Sequence, residues 1–153
     1  MMVSSYSSDL SLNEKVMVTI VRIAELFKKH SSAIFKNYGL TFPQYNVLRV
    51  LDGYKNGQDT ITNVGKVLLV TGANMTGIAK RLEKNGFLIR KGDPGDERIT
   101  LLEITPKGRQ ALLNISREKD KNIDRYFADF DDSEKEELFK SIRKFLKQRE
   151  LED

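Results

Sequence analysis

The chain has 153 residues, 26 Lys plus Arg against 22 Asp plus Glu, and no cysteine. That length suits one compact core, or a small core with an oligomerising element, and not two independent domains. Without cysteine the chain has no disulfide, thiolate metal site or cysteine redox switch, and its one histidine, His30, cannot build a metal cluster alone, so no metal or cofactor is expected.

No apolar run approaches the ~20 residues that cross a bilayer, and MMVSSYSSDL lacks the basic and apolar blocks of a signal peptide. A cytoplasmic protein without a membrane partner is expected. Residues 1–10, serine-rich and aperiodic, read as a disordered leader.

From Ser11 the pattern becomes helical. Ser11 and Glu14 have capping-box spacing, and Leu12, Val16, Ile20, Ile23, Phe27 and Ile34 recur at three- and four-residue steps until Gly39 stops them. A helix from Leu12 to Tyr38 would be about 40 Å long, more than a domain of this size can bury along its length. Part of it is therefore expected to pack against another chain. A second helix opens at Thr41, with Gln44 reaching back and Pro43 tolerated in the first turn, and presents Tyr45, Leu48 and Leu51. The segment GYKNGQD ends it. A third helix starts near Thr60 with Val64, Val67 and Leu68 inward, and Thr71 caps a fourth that runs through Met75, Ile78, Ala79 and Leu82 to Gly86. The short link Leu69 to Thr71 forces the third and fourth helices into a tight crossing.

Two β-prone segments, FLIRK and ITLLEIT, flank the turn GDPGDER; adjacent Leu101 and Leu102 leave the facing of the second strand open. Thr105 and Pro106 are a cap and first-turn pair for a further helix carrying Leu112, Ile115, Ile123, Tyr126 and Phe127, and its polar interval from Ser116 to Asn122 argues against one continuous buried face. After FDDSE, Leu138, Ile142, Phe145 and Leu146 mark a last amphipathic helix. The whole is mainly α with a small β-wing. Two short helices, a turn and a charged hairpin ending in Arg98 follow the order in which a winged helix-turn-helix offers a helix to the major groove and an arginine to the minor groove. Charge distribution agrees: residues 55–110 carry 10 basic against 6 acidic side chains, and residues 111–153 carry 10 against 12.

The segment VTGANMTGIAKRLEKNGFLIRKGDPGDERITLLEITPKG resembles the core signature of the MarR (multiple-antibiotic-resistance regulator) family: a recognition helix ending R-L-x-x-x-G, a strand, a D-P-x-D-x-R wing, then L-x-x-T-x-x-G. The resemblance runs from about Leu12 to Leu151. It implies a homodimeric winged-helix regulator, a repressor or activator, that often loses DNA affinity when a small aromatic or phenolic ligand binds. On that frame residues 11–153 are one domain, with a winged-helix DNA-binding lobe at 41–105 and dimerisation helices at 11–38 and 106–153. The expected partners are double-stranded DNA carrying a pseudo-palindromic operator, a second copy of the chain and a small-molecule effector. Three positions depart from the usual pattern. Gly65 stands where helix-turn-helix motifs carry alanine, Leu69 where they carry a turn glycine, and Glu97 where the wing often has a second arginine.

Candidate DNA contacts are Thr71, Ala73, Asn74, Met75 and Thr76 in the first turns of the fourth helix, Lys80 and Arg81 toward its end, and Arg98 with Asp96 in the wing. Met75 has the spacing of either a core residue or a groove contact. Arg81 suits either a phosphate or the helix dipole, and Thr71 can cap and still lie beside phosphate. Arg98 as a mere solvated charge is the plainer alternative to minor-groove insertion. His30, Tyr38, Phe42 and Tyr45 gather at the junction of the first two helices, as core or as a ligand cleft. No Gly-rich phosphate loop or catalytic cluster is present, so an enzyme is not expected; a winged-helix module that binds protein instead of DNA is the competing class.

Overall fold

The computed structural model describes residues 9–150, so most of the expected 1–10 leader lies outside the described residues. Six helices and three strands follow one another as α1 (Leu12–Lys36), α2 (Phe42–Gly53), β1 (Gln58–Thr60), α3 (Ile61–Leu68), α4 (Gly72–Lys84), β2 (Leu88–Gly92), β3 (Thr100–Ile104), α5 (Pro106–Tyr126) and α6 (Asp132–Glu150). They form two compact units divided at Arg117 and Glu118, inside α5.

In the first unit, α1 starts at the expected capping box: the Glu14 amide donates to Ser11 Oγ at 3.3 Å and the Ser11 amide to Glu14 Oε2 at 2.8 Å. It ends at Lys36, two residues before Tyr38, where the Asn37 amide turns back to the Ile34 and Phe35 carbonyls. Only Ser31 and Phe35 of α1 are buried. Along the rest of the helix Leu12, Met17, Val21, Ile23 and Leu26 stand exposed. Phe35 anchors α1 to α2 by stacking on Tyr45 at 3.9 Å between ring centroids. A second capping box, Thr41 with Gln44, opens α2.

The core gathers one apolar face from each element: Val47, Leu48 and Leu51 of α2, Val64 of α3, Met75, Ala79 and Leu82 of α4, Leu88 of β2, Leu102 and Ile104 of β3, and Ala111, Leu112 and Ile115 of α5. Val67, expected inward, is instead 57% exposed: the inward face of the eight-residue α3 runs through Ile61, Val64, Gly65 and Leu68, and Val67 lies off its edge, on the far side of Val64 from Gly65. The sheet has the order β1-β3-β2, antiparallel throughout. Its first strand falls in a segment read from sequence as loop, and pairs Gln58 with Glu103 and Thr60 with Leu101. Three residues are too few to show a strand period; the pairing is made by the edge of β3. The open question of facing resolves with Leu102 and Ile104 inward and Leu101 and Glu103 outward.

Thr105 and Gly108 explain the T-x-x-G spacing at the start of α5. Thr105 Oγ1 donates to the Gly86 carbonyl at 2.6 Å and accepts from the Gly108 amide at 3.1 Å, tying the end of α4 to the start of α5. A Cβ on Gly108 would collide with the Phe87 carbonyl oxygen and with Ile104 Cγ1. In the second unit, Asp131 and Glu134 cap α6 reciprocally at 2.8 Å, and Phe127 meets Phe130 edge-on with ring centroids 5.9 Å apart. Leu138, Phe139, Ile142, Phe145 and Leu146 of α6 are exposed.

Candidate nucleic-acid interface

The link between α3 and α4 sets the site. Val70 and Leu69 donate their amides back to the Gly65 and Lys66 carbonyls at 2.9 and 3.2 Å, and Leu69 takes a left-handed backbone with φ 53°. Gly65 and Met75 touch at the crossing, so the absence of a side chain at 65 brings the two helices together.

On α4, Thr71, Ala73, Asn74 and Thr76 are exposed and share the first turns. Thr71 occupies the cap position, but its hydroxyl bonds no α4 amide, contrary to expectation; its backbone is extended and its carbonyl receives the Met75 amide at 2.9 Å. Thr76 Oγ1 donates within the helix to the Gly72 carbonyl at 3.0 Å. Met75 is corrected from groove contact to core: it is 1% exposed, because it points through the crossing beneath Gly65.

The cations divide into two groups. Arg90 is bound three times by Glu83, Nε and Nη2 to Oε2 at 2.8 and 2.7 Å and the amide to Oε1 at 3.1 Å, and these bonds hold the Glu83 carboxyl below the usual glutamate range. Lys91 pairs with Glu103 across the sheet, Arg109 with Asp52 at 2.5 Å, and Lys107 Nζ donates to the Asn85 carbonyl at 2.7 Å. These four serve the fold. Lys66, Lys80 and Arg81 are exposed and make no ion pair among the described residues. Lys66 escaped the sequence reading; it lies in the same acid-free stretch, residues 61–82, as the other two.

The wing closes with the Asp93 amide on the Ile99 carbonyl at 3.0 Å, and Asp93 Oδ1 accepts the Gly95 and Asp96 amides at 2.7 and 3.2 Å. Asp96 then grips Arg98 three times: Oδ1 accepts Nε at 3.1 Å and the backbone amide at 3.0 Å, and Oδ2 accepts Nη2 at 3.1 Å. The guanidinium bonds first, and the amide second, hold the Asp96 carboxyl below the usual aspartate range. The Arg98 side chain is nevertheless 91% exposed. A cation so held is aimed outward at little entropic cost, and its outer edge keeps free donors for a phosphate or groove atom.

The four junction residues sit in different settings. Tyr45 is in the core, Phe42 packs between Phe27 and Phe35 at 6.1 and 6.0 Å, and His30 is exposed on α1. Tyr38 lines an open cleft of about 590 Å³ together with Asn85, Phe87, Lys107, Gln110 and Asn114. Lys107 stands 4.9 Å over the Phe87 ring there.

Residues 38–99, which contain α2 to the wing, match the family model described as "MarR family". An uncharacterised HTH-type transcriptional regulator, YkoM of Bacillus subtilis, is 29% identical over 142 residues, covering 88% of this chain and 91% of that protein. The crystal structure of Sco5413, a MarR family transcriptional regulator from Streptomyces coelicolor, is 27% identical and aligns with a TM-score of 0.77 over 91% of this chain and 96% of that one. Sco3205 of the same organism, solved in complex with DNA, is 20% identical and shares the fold with a TM-score of 0.82 over 91% of this chain and 89% of that one. The matched segment is the one that builds the α3–α4 crossing and the wing, and over that segment the chain is similar to the MarR family of winged-helix transcriptional regulators.

Proposed function

We propose that the protein is a DNA-binding repressor that acts as a homodimer in the cytoplasm. Each protomer lays the first turns of α4 in a major groove, where Thr71, Ala73, Asn74 and Thr76 meet base edges and the adjoining backbone, and sets Arg98 in the flanking minor groove. Lys66, Lys80 and Arg81 take phosphates. The observation that carries this reading is Arg98, clamped by Asp96 yet 91% exposed at the wing tip. Such a contact has no use inside the fold.

On this reading residues 41–105 are the DNA-binding lobe, and residues 11–38 and 106–153 form the dimer. Exposed Leu12, Met17, Val21, Ile23 and Leu26 of α1, and Leu138, Phe139, Ile142, Phe145 and Leu146 of α6, supply the apolar surface that a two-fold interface needs. Two recognition helices then read half-sites about one helical turn apart in a near-palindrome. A small aromatic or phenolic effector would release the DNA. Of the residues named for it, Tyr38 lies beside an open cleft that offers a ring, an ammonium and three amides to such a ligand.

A salt titration of binding to duplex DNA by fluorescence anisotropy tests the proposal. Affinity for a duplex containing the operator should fall steeply between 50 and 200 mM salt, by about 10³-fold or more if six or more phosphates are neutralised per dimer. A protein that shows no salt-sensitive shift on any duplex would instead be a winged-helix module for protein partners.

A further inference from the structure

We infer that Leu69 is itself a DNA contact, an apolar side chain that packs on the deoxyribose carbons of the backbone strand beside the recognition helix. This rests on the DNA-reading assignment of α4 made above.

Leu69 is unfavourable for the fold on two independent grounds. It has φ 53°, and no other non-glycine residue among those described has a positive φ. In that region the Cβ of an L-residue crowds its own carbonyl, which is why helix-turn-helix links usually place glycine there. It is also 91% exposed, so its four side-chain carbons gain nothing from burial within the chain. The link does not need a leucine for its geometry. The two bonds that shape it, Leu69 amide to Lys66 carbonyl and Val70 amide to Gly65 carbonyl, are both backbone bonds that glycine would make equally well. A strained, solvated leucine in a backbone-determined turn therefore has its use outside the molecule.

Its surroundings say what it meets. Residues 61–82 contain no acidic side chain, and Lys66, three residues before Leu69, is exposed and makes no ion pair among the described residues. Two residues after it comes Thr71, where the polar, exposed first turns of α4 begin. Val67 adds a second exposed apolar group, 57% accessible, on the last turn of α3. An apolar protein partner would be poorly matched by this acid-free, basic setting. The nucleic-acid backbone alternates anionic phosphates with apolar sugar edges, and a lysine followed by a leucine matches that alternation. The contact is indifferent to base identity, so it fixes register and closeness of approach without reading sequence.

Three variants separate contact from turn geometry. Binding is measured on the strongest duplex recovered by affinity selection from a randomised pool with the wild-type protein. Leu69→Gly and Leu69→Asn both accept a left-handed backbone and should raise the melting temperature or leave it unchanged, yet weaken binding about three- to tenfold, the scale of losing part of one buried leucine. Leu69→Met keeps apolar reach and the same backbone strain, and should bind within about twofold of wild type. The salt dependence should be the same in all four proteins, because no charge is involved. Wild-type affinity in both the Gly and Asn variants overturns the contact and leaves the exposed leucine to a protein partner. Equal weakening in the Met variant assigns the effect to the turn and overturns it too. If the wild-type pool yields no binding duplex, the DNA-reading assignment itself falls, and the contact with it.

Discussion

Gly65 and Met75 interlock where α3 crosses α4: a Cβ built on Gly65 would lie 3.0 Å from Met75 Cγ and 3.1 Å from the Val70 carbonyl oxygen. The methionine chain can yield a few tenths of an ångström, whereas the carbonyl belongs to the bonded turn and cannot. Two groove-side features, the pitch of α4 and the position of Thr71, thus depend on a contact buried beneath them. Met75→Ala should therefore cost about 2 to 5 kcal/mol as a cavity mutation, and Gly65→Val about 1 to 3 kcal/mol through overpacking, both read by urea denaturation. Met75→Leu nearly conserves volume and should cost less than about 1.5 kcal/mol and keep its DNA affinity. A folded Met75→Leu protein with tenfold weaker binding would return Met75 to the groove.

The wing separates affinity from stability. Arg98→Ala should weaken DNA binding by about 1 to 3 kcal/mol, the scale of a good groove contact, and leave the melting temperature within about a degree because the side chain is 91% exposed. Asp96→Ala frees the guanidinium without removing it and should cost less. Anisotropy on one operator duplex compares the three proteins. Unchanged affinity in the Arg98 variant refutes the minor-groove role.

Both clamped carboxylates set a direction with pH. Asp96 is held below its ordinary value of 3.8 and Glu83 below 4.5, in each case first by side-chain bonds from an arginine. A depressed folded value means the native state binds fewer protons than the unfolded chain above that value. The two clamps thus contribute fully above the unfolded values and are lost as pH falls through the lower folded ones. Between pH 8 and 5 the Arg98 and Arg90 guanidinium resonances should stay unchanged by NMR, and they should lose their restricted environment only below about pH 4. Loss of the Arg98 environment near pH 6 would place another group in control of the wing.

Much of this was legible in the sequence because the signals were local. Ser11 with Glu14, Thr41 with Gln44 and Thr105 before Pro106 mark helix starts by chemistry that acts over three or four residues. The wing was legible for the same reason, since Pro94, Gly95 and Asp96 define a tight turn near Arg98. What sequence did not disclose depends on partners distant in the chain. The strand Gln58–Thr60 exists because β3 offers an open edge some forty residues later. Met75 reads equally as core or as groove contact until the crossing with Gly65 buries it. The Tyr38 cleft joins residues from the end of α1, the end of α4 and the start of α5, and no spacing rule predicts such a meeting.

The Gly108 notch gives a sharper test of the α4–α5 junction. A Cβ there would strike the Phe87 carbonyl, a backbone atom fixed at the start of β2, where the Thr105 amide also donates to it at 3.1 Å. Gly108→Ala should cost on the order of 3 kcal/mol or more, although alanine is ordinarily the better helix residue by about 1 kcal/mol. Thr105→Val removes the cap and the bond to Gly86 together and should cost about 1 to 2 kcal/mol. A Gly108→Ala protein as stable as wild type would mean that α5 can slide away from the sheet.

Dimerisation should belong to the two ends of the chain. In α1 only Ser31 and Phe35 are buried, although the helix runs for 25 residues, and in α6 five large apolar side chains face solvent. Surfaces of this kind on two helices rarely stay wet in a soluble protein, and a two-fold interface would cover both at once. Removing everything after Asp132 should expose what remains of that interface and break the fixed separation of the two DNA-reading lobes. The two half-sites would then be bound as separate weak events, so operator affinity should fall by about 10² or more, well beyond the loss from any single charge. Analytical ultracentrifugation of the truncated chain, with circular dichroism to show that α1–α4 remain folded, is the measurement. A soluble, folded dimer that still binds its operator would place the interface elsewhere.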